Sequence, residues 1–279
     1  MINNEVIFFE NLIDLISNDV ISDKTKVNEF YASWKRNFEN TKKPYLTDVV
    51  NKSSVSNSQF LPQKCTTVGI DLPTWFGNFE SKRVFFLGID PMRKASEFTK
   101  NDIADIENEV IVGTPYAFHH SSFRENRTKS YWEIIDNLKS NYFIYVTDIF
   151  KSFFYTNEKI RSYNYYMNNN EVNAKISHRN ILMQEINSLI KPDLIITFGA
   201  LSYKLLMDSK NVPKLSQPIN KLITEINSIP VLPLMHLSGS TREKPLKCFF
   251  KENNIVWEES DGRQLAANHY AKLISEFLQ

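Results

Sequence analysis

The stretch Arg83-Val-Phe-Phe-Leu-Gly-Ile-Asp-Pro91 decides the fold class. Arg83–Ile89 is a short, continuous apolar run, as a strand buried on both faces requires. Pro91 stops it and biases Asp90 toward extended backbone, so Asp90 leaves the strand end on a loop. The pattern then repeats. Tyr142–Thr147 is a second apolar run ending at Asp148, and Asp193–Phe198 is a third, followed by Gly199. Pro230–Met235 is a fourth, ending at His236, and Lys221–Ile226 reads as an antiparallel or edge strand. Helices fall between them. Ser130-Tyr-Trp-Glu133 is a capping box opening a helix through Lys139. Glu171–Ile190 is amphipathic, a short helix runs on to Met207, and Ala266–Leu278 closes the chain. Alternating strands and helices predict a three-layer αβα sandwich, with a mostly parallel central sheet.

The first eighty residues read differently. Residues 5–17 and Lys26–Glu39 carry apolar side chains at helical spacing, with Phe30, Trp34 and Phe38 four apart. Asn51–Gln59 is polar and turn-rich, a loop or linker. The expected organisation is therefore a helical extension over 1–80, packed on an α/β domain over 81–279.

Composition removes several classes of function. The 279 residues are 42% hydrophobic and 23% charged, which argues against global disorder. No run approaches the length of a membrane span. The opening MINNEVIFFE lacks a basic n-region and a cleavage site, so no secretion signal is expected. Lys+Arg 33 against Asp+Glu 32 leaves a net charge of +1, so bulk charge advertises no polyanion, though a local patch can still bind one. The two cysteines, Cys65 and Cys248, exclude a disulfide scaffold and a four-cysteine cluster. A reduced, cytoplasmic setting and a monomer without metal or cofactor are the expectations.

Ligands of open parallel sheets bind outside the carboxyl ends of the strands, which here carry Asp90, Asp148, Gly199 and His236. Asp90 either bonds loop N–H groups or does chemistry. Val112-Gly-Thr-Pro-Tyr-Ala-Phe118 reads as a loop carrying two rings, Tyr116 and Phe118. They either stack on a planar base or anchor the core. His236-Leu-Ser-Gly-Ser-Thr-Arg242 joins a titratable donor, hydroxyls at Ser238 and Ser240, a flexible Gly239 and a guanidinium. That mixture suits contact with a phosphate or a base, with Lys244, Lys247 and Lys251 beyond it. Arg93–Lys94 and Arg124–Lys129 add basic groups around the same strand ends.

In this order, GIDP, GTPYAF, YVTDIF, PDLIITFG and HLSGSTR resemble the uracil-DNA glycosylase superfamily over roughly residues 83–250. The resemblance implies an enzyme that hydrolyses the N-glycosidic bond of a modified or deaminated base in duplex or single-stranded DNA. It implies Asp90 and His236 as the catalytic pair, with Gly88, Ile89, Pro91, Tyr116, Phe118 and Asp148 around the base. Ser238, Gly239, Ser240, Arg242 and Lys244 would contact DNA, and Leu237 or Arg242 would fill the gap in the duplex. Two positions depart from the family pattern. Asp148 stands where Asn is usual, and Leu237 where the last motif usually has Pro. A binder of a nucleobase, nucleotide or DNA that keeps the pocket without catalysis is the second reading. An α/β hydrolase is disfavoured, since no Gly-x-Ser-x-Gly turn is present.

Overall fold

A computed structural model describes residues 4–37, 48–61, 65–89, 108–115, 129–156, 166–167, 172–237, 243–256 and 262–279. The chain divides into two units, each built from three chain segments. One comprises 1–74, 89–121 and 147–189; the other comprises 75–88, 122–146 and 190–279. This division does not follow a boundary at residue 80.

The second unit holds the strands that the apolar runs predict. Its sheet takes the order β3 (Thr74–Phe76), β6 (Phe143–Asp148), β4 (Arg83–Gly88), β8 (Leu194–Phe198), β10 (Ile229–Leu234), β9 (Thr224–Ile226). β4, β8 and β10 run parallel, and β9 closes the edge antiparallel to β10. Every residue of β6 and of β8 is buried. Successive side chains of a strand point to opposite faces, so both faces of these strands are covered. Helix α3 (Lys129–Leu138) already contains Ser130, which is therefore not the N-cap that the capping box predicts. It buries Tyr131, Trp132, Ile134, Ile135 and Leu138 and packs on α7 (Gly262–Leu278). The short helix α5 (Ala200–Met207) packs on β8 and β10, and α6 (Glu243–Glu252) packs on α7.

Polar contacts fix how β4 and β8 start. The Arg83 amide donates to Asp193 Oδ2 at 2.7 Å, and its guanidinium donates to the Ile190 carbonyl at 2.8 Å. The same guanidinium lies 4.2 Å from the centre of the Phe79 ring. With the starts tied, the register follows: Leu87 pairs with Thr197, and Leu234 with Phe198. β4, β8 and β10 therefore end level, at Gly88, Phe198 and Leu234.

The first unit contains the expected helices α1 (Asn4–Asp19) and α2 (Lys24–Asn37), packed together. It also holds a second sheet that periodicity did not reveal. Its order is β1 (Asp48–Asn51), β5 (Glu109–Gly113), β2 (Cys65–Asp71), β7 (Ser152–Thr156). Only β2 and β5 are parallel; β1 and β7 are antiparallel to their neighbours. Val112 and Gly113, read from sequence as the start of a loop, are the end of β5. The Asn51–Gln59 stretch is two short 3₁₀ turns, capped by Asn51 on the Ser53 amide and Asn57 on the Gln59 amide. Helix α4 (Val172–Gln184) continues as a π-helical turn over Glu185–Ile190. Among the described residues, no helix is long and apolar enough to cross a membrane.

Candidate functional site

In the second unit the exits of β4, β8 and β10 build one edge. Gly199 follows β8 with φ +91° and ψ 159°, a conformation essentially confined to glycine. Its amide donates to the Leu234 carbonyl at 2.8 Å. A Cβ built on Gly199 would lie 3.7 Å from the Cβ of His236, so the turns after β8 and β10 meet there.

Two tyrosines fix the segment that carries His236. The Met235 amide donates to the Tyr270 hydroxyl at 3.2 Å, and the Leu237 amide donates to the Tyr131 hydroxyl at 3.0 Å. The residues on both sides of His236 are thus held from α7 and from α3. Burial pushes both phenols well above their ordinary range, so each keeps its proton. Sequence reasoning missed both, because they lie 35 and 106 residues from their partners.

His236 presents an exposed residue surface, yet its imidazole stands 5.5 Å from the Tyr131 ring, edge to face. The neighbouring protein displaces enough water to lower its pKa from 6.5. It is therefore neutral at neutral pH. A neutral imidazole carries one N–H, which suits hydrogen-bond donation to a leaving group. Leu237 is 2% exposed. A wedge needs an exposed apolar tip, so the structure withdraws Leu237 from that role. Lys244 is exposed on α6 and, with Lys214, Met235, His236 and Cys248, borders an open depression.

In the first unit Asp148 ends β6 as a buried residue, 8% exposed. The chain after it is closely held. The Phe150 amide donates to the Ile89 carbonyl at 3.0 Å. The Lys151 amide donates to His178 Nδ1 at 3.1 Å, and the Asp71 amide donates to the Lys151 carbonyl at 2.8 Å. Gly88 and Ile89 end the β4 run, half-buried. Asp90, Pro91, Tyr116, Phe118, Ser238, Gly239, Ser240 and Arg242 lie outside the described residues.

His178 is wholly buried, stacked on Phe60 with ring centres 4.4 Å apart and edge-on to Phe150 and Tyr166. Burial first, and the Lys151 charge second, hold its pKa well below 6.5. Accepting at Nδ1 places its one proton on Nε2.

A family model described as the uracil DNA glycosylase superfamily matches residues 74–258. No curated protein matches the chain.

Proposed function

The chain belongs to the uracil DNA glycosylase superfamily, and on that premise we propose that it is a divergent DNA glycosylase acting on a modified or deaminated base. The observation that carries the reading is the level exit of β4, β8 and β10. It sets the Gly88 and Gly199 turns and the tyrosine-held His236 at the carboxyl edge of a parallel sheet, where such folds work.

In this reading the bond between C1′ and the base nitrogen breaks, a water oxygen bonds to C1′, and the proton that water gives up ends on the released base. Positive charge grows on the sugar and negative charge on the departing base. The Asp90 carboxylate stabilises the sugar cation and orients the water; neutral His236 donates a hydrogen bond to the base. Tyr116 and Phe118 stack on a base turned out of the helix, and Asp148 reads its edge. Gly88, Ile89 and Pro91 shape the turn beside the base. Ser238, Gly239, Ser240, Arg242 and Lys244 grip the phosphodiester chain, with Arg242 filling the gap in the duplex.

The test is base release from duplex and single-stranded oligonucleotides, each carrying one altered base. At least one substrate is expected to lose its altered base, and Asp90→Asn should lose on the order of 10²-fold or more in turnover while binding survives. Full turnover in Asp90→Asn would remove the carboxylate from the mechanism. One observation favours the second reading, a non-catalytic base or nucleotide binder: Asp148 is buried where the family usually has Asn. Wild-type protein that binds oligonucleotides but releases no base from any of them would establish that reading instead.

A further inference from the structure

A charged cluster lies buried on residues that flank Asp148 in the chain. Lys151 Nζ meets Glu185 Oε2 at 2.5 Å, and both side chains are 2% exposed. Thr147 Oγ1 donates to Glu185 Oε1 at 3.3 Å, while the Lys151 ammonium donates to Thr147 Oγ1. Glu185 opens the π-helical turn that follows α4, a distortion that re-aims side chains and is frequent at functional sites. A buried ion pair gains little stability over a well-packed apolar pair, so stability alone is a poor account of this one. What the pair does supply is fixed geometry.

That geometry brackets a three-residue segment that begins with Asp148. Thr147 precedes Asp148 and Lys151 follows it by three, and both side chains end on the Glu185 carboxylate. At the far end of that segment the Phe150 amide is tied to Ile89, and the Lys151 amide and carbonyl to His178 and Asp71. We propose that Lys151, Glu185 and Thr147 are positioning residues that hold the Asp148 carboxylate in one orientation and so set which base edge it accepts. This rests on the reading of Asp148 as a base contact.

The test replaces the pair by apolar side chains of similar size, Lys151→Met with Glu185→Leu. Free guanine and uracil serve as ligands, and backbone amide exchange reports on residues 148–151. The expected result is an unchanged melting temperature, lost amide protection confined to 148–151, and a roughly tenfold fall in the ratio of the two affinities. Thr147→Val, which removes one hydroxyl without changing shape, should move the same ratio in the same direction by less. It carries the test if the double variant does not fold. An unchanged ratio in a folded variant, from a wild type that does discriminate, overturns the proposal and leaves the base-contact reading standing. A wild type with no affinity for either base overturns that reading. The exchange data then judge the positioning alone, and unchanged protection at 148–151 sinks it too.

Discussion

The Tyr131 hydroxyl accepts the Leu237 amide at 3.0 Å, so a helix side chain 106 residues away fixes the backbone next to His236. Leu237 is buried, and no water replaces a lost acceptor there at no cost. Tyr131→Phe should therefore destabilise the fold by about 1–3 kcal/mol, the penalty for a buried amide left unsatisfied. If this bond also aims the imidazole, turnover should fall further than the melting shift explains, with the Michaelis constant little changed. Denaturant unfolding and steady-state base release on the same preparation separate the two effects. A stability loss with full turnover would make Tyr131 structural only.

The buried, neutral His178 makes stability depend on acidity. Its pKa in the fold lies well below 6.5, the value it regains on unfolding. Below about 6.5 the unfolded chain binds a proton that the folded chain refuses. The stabilisation is fully present above that pH and is lost as pH falls toward the folded value, at about 1.4 kcal/mol per pH unit for one proton. His236 and His269 are shifted in the same direction and add to the slope. Urea midpoints at pH 7.5 and 5.5 should differ accordingly. His178→Gln, which titrates nothing but can still accept the Lys151 amide, should flatten the dependence.

How much of this could be read beforehand depended on the burial of each segment. Residues 83–89, 142–147, 193–198 and 230–235 are continuous apolar runs because both faces of their strands are covered, and composition alone exposes them. The sheet formed by Asp48–Asn51, Cys65–Asp71, Glu109–Gly113 and Ser152–Thr156 is different. Its strands are short and carry Asp, Asn, Thr and Ser, and Gly113-Thr-Pro115 looks like turn punctuation although β5 runs to Gly113. Such strands are defined by their partners, up to tens of residues distant. The strand-end positions of Asp148, Gly199 and His236 were legible from chain order. Tyr131 and Tyr270 were not, since nothing local marks a phenol that bonds a remote amide. Lys151 did leave a signal: a single cation between Ile149-Phe150 and Phe153-Phe154 must find a partner when buried.

Lys244 tests the DNA contact. It is exposed at the start of α6, seven residues after Leu237 in the chain. If it meets a phosphate, Lys244→Gln should weaken every oligonucleotide alike and reduce the slope of log affinity against log salt by about 1. Titrations at several salt concentrations measure that slope. An unchanged slope would remove Lys244 from the interface.

Asp148 gives the sharpest test of what base is read. A carboxamide donates to one base atom and accepts from its neighbour, which fits uracil, with O4 accepting and N3–H donating. An ionised carboxylate only accepts. Opposite uracil it would satisfy N3–H and repel O4, whereas guanine offers adjacent donors at N1–H and N2–H. Asp148 is 8% exposed, so such a mismatch would not be rescued by bulk water. Wild type is therefore expected to prefer a base with paired donors, and Asp148→Asn to shift preference toward uracil by roughly 10-fold or more. Excision or binding measured for guanine-type and uracil bases in matched sequence contexts decides it. Strong wild-type preference for uracil, with no gain from the Asn variant, would show that the Asp148 carboxylate turns away from the base and caps its own loop instead.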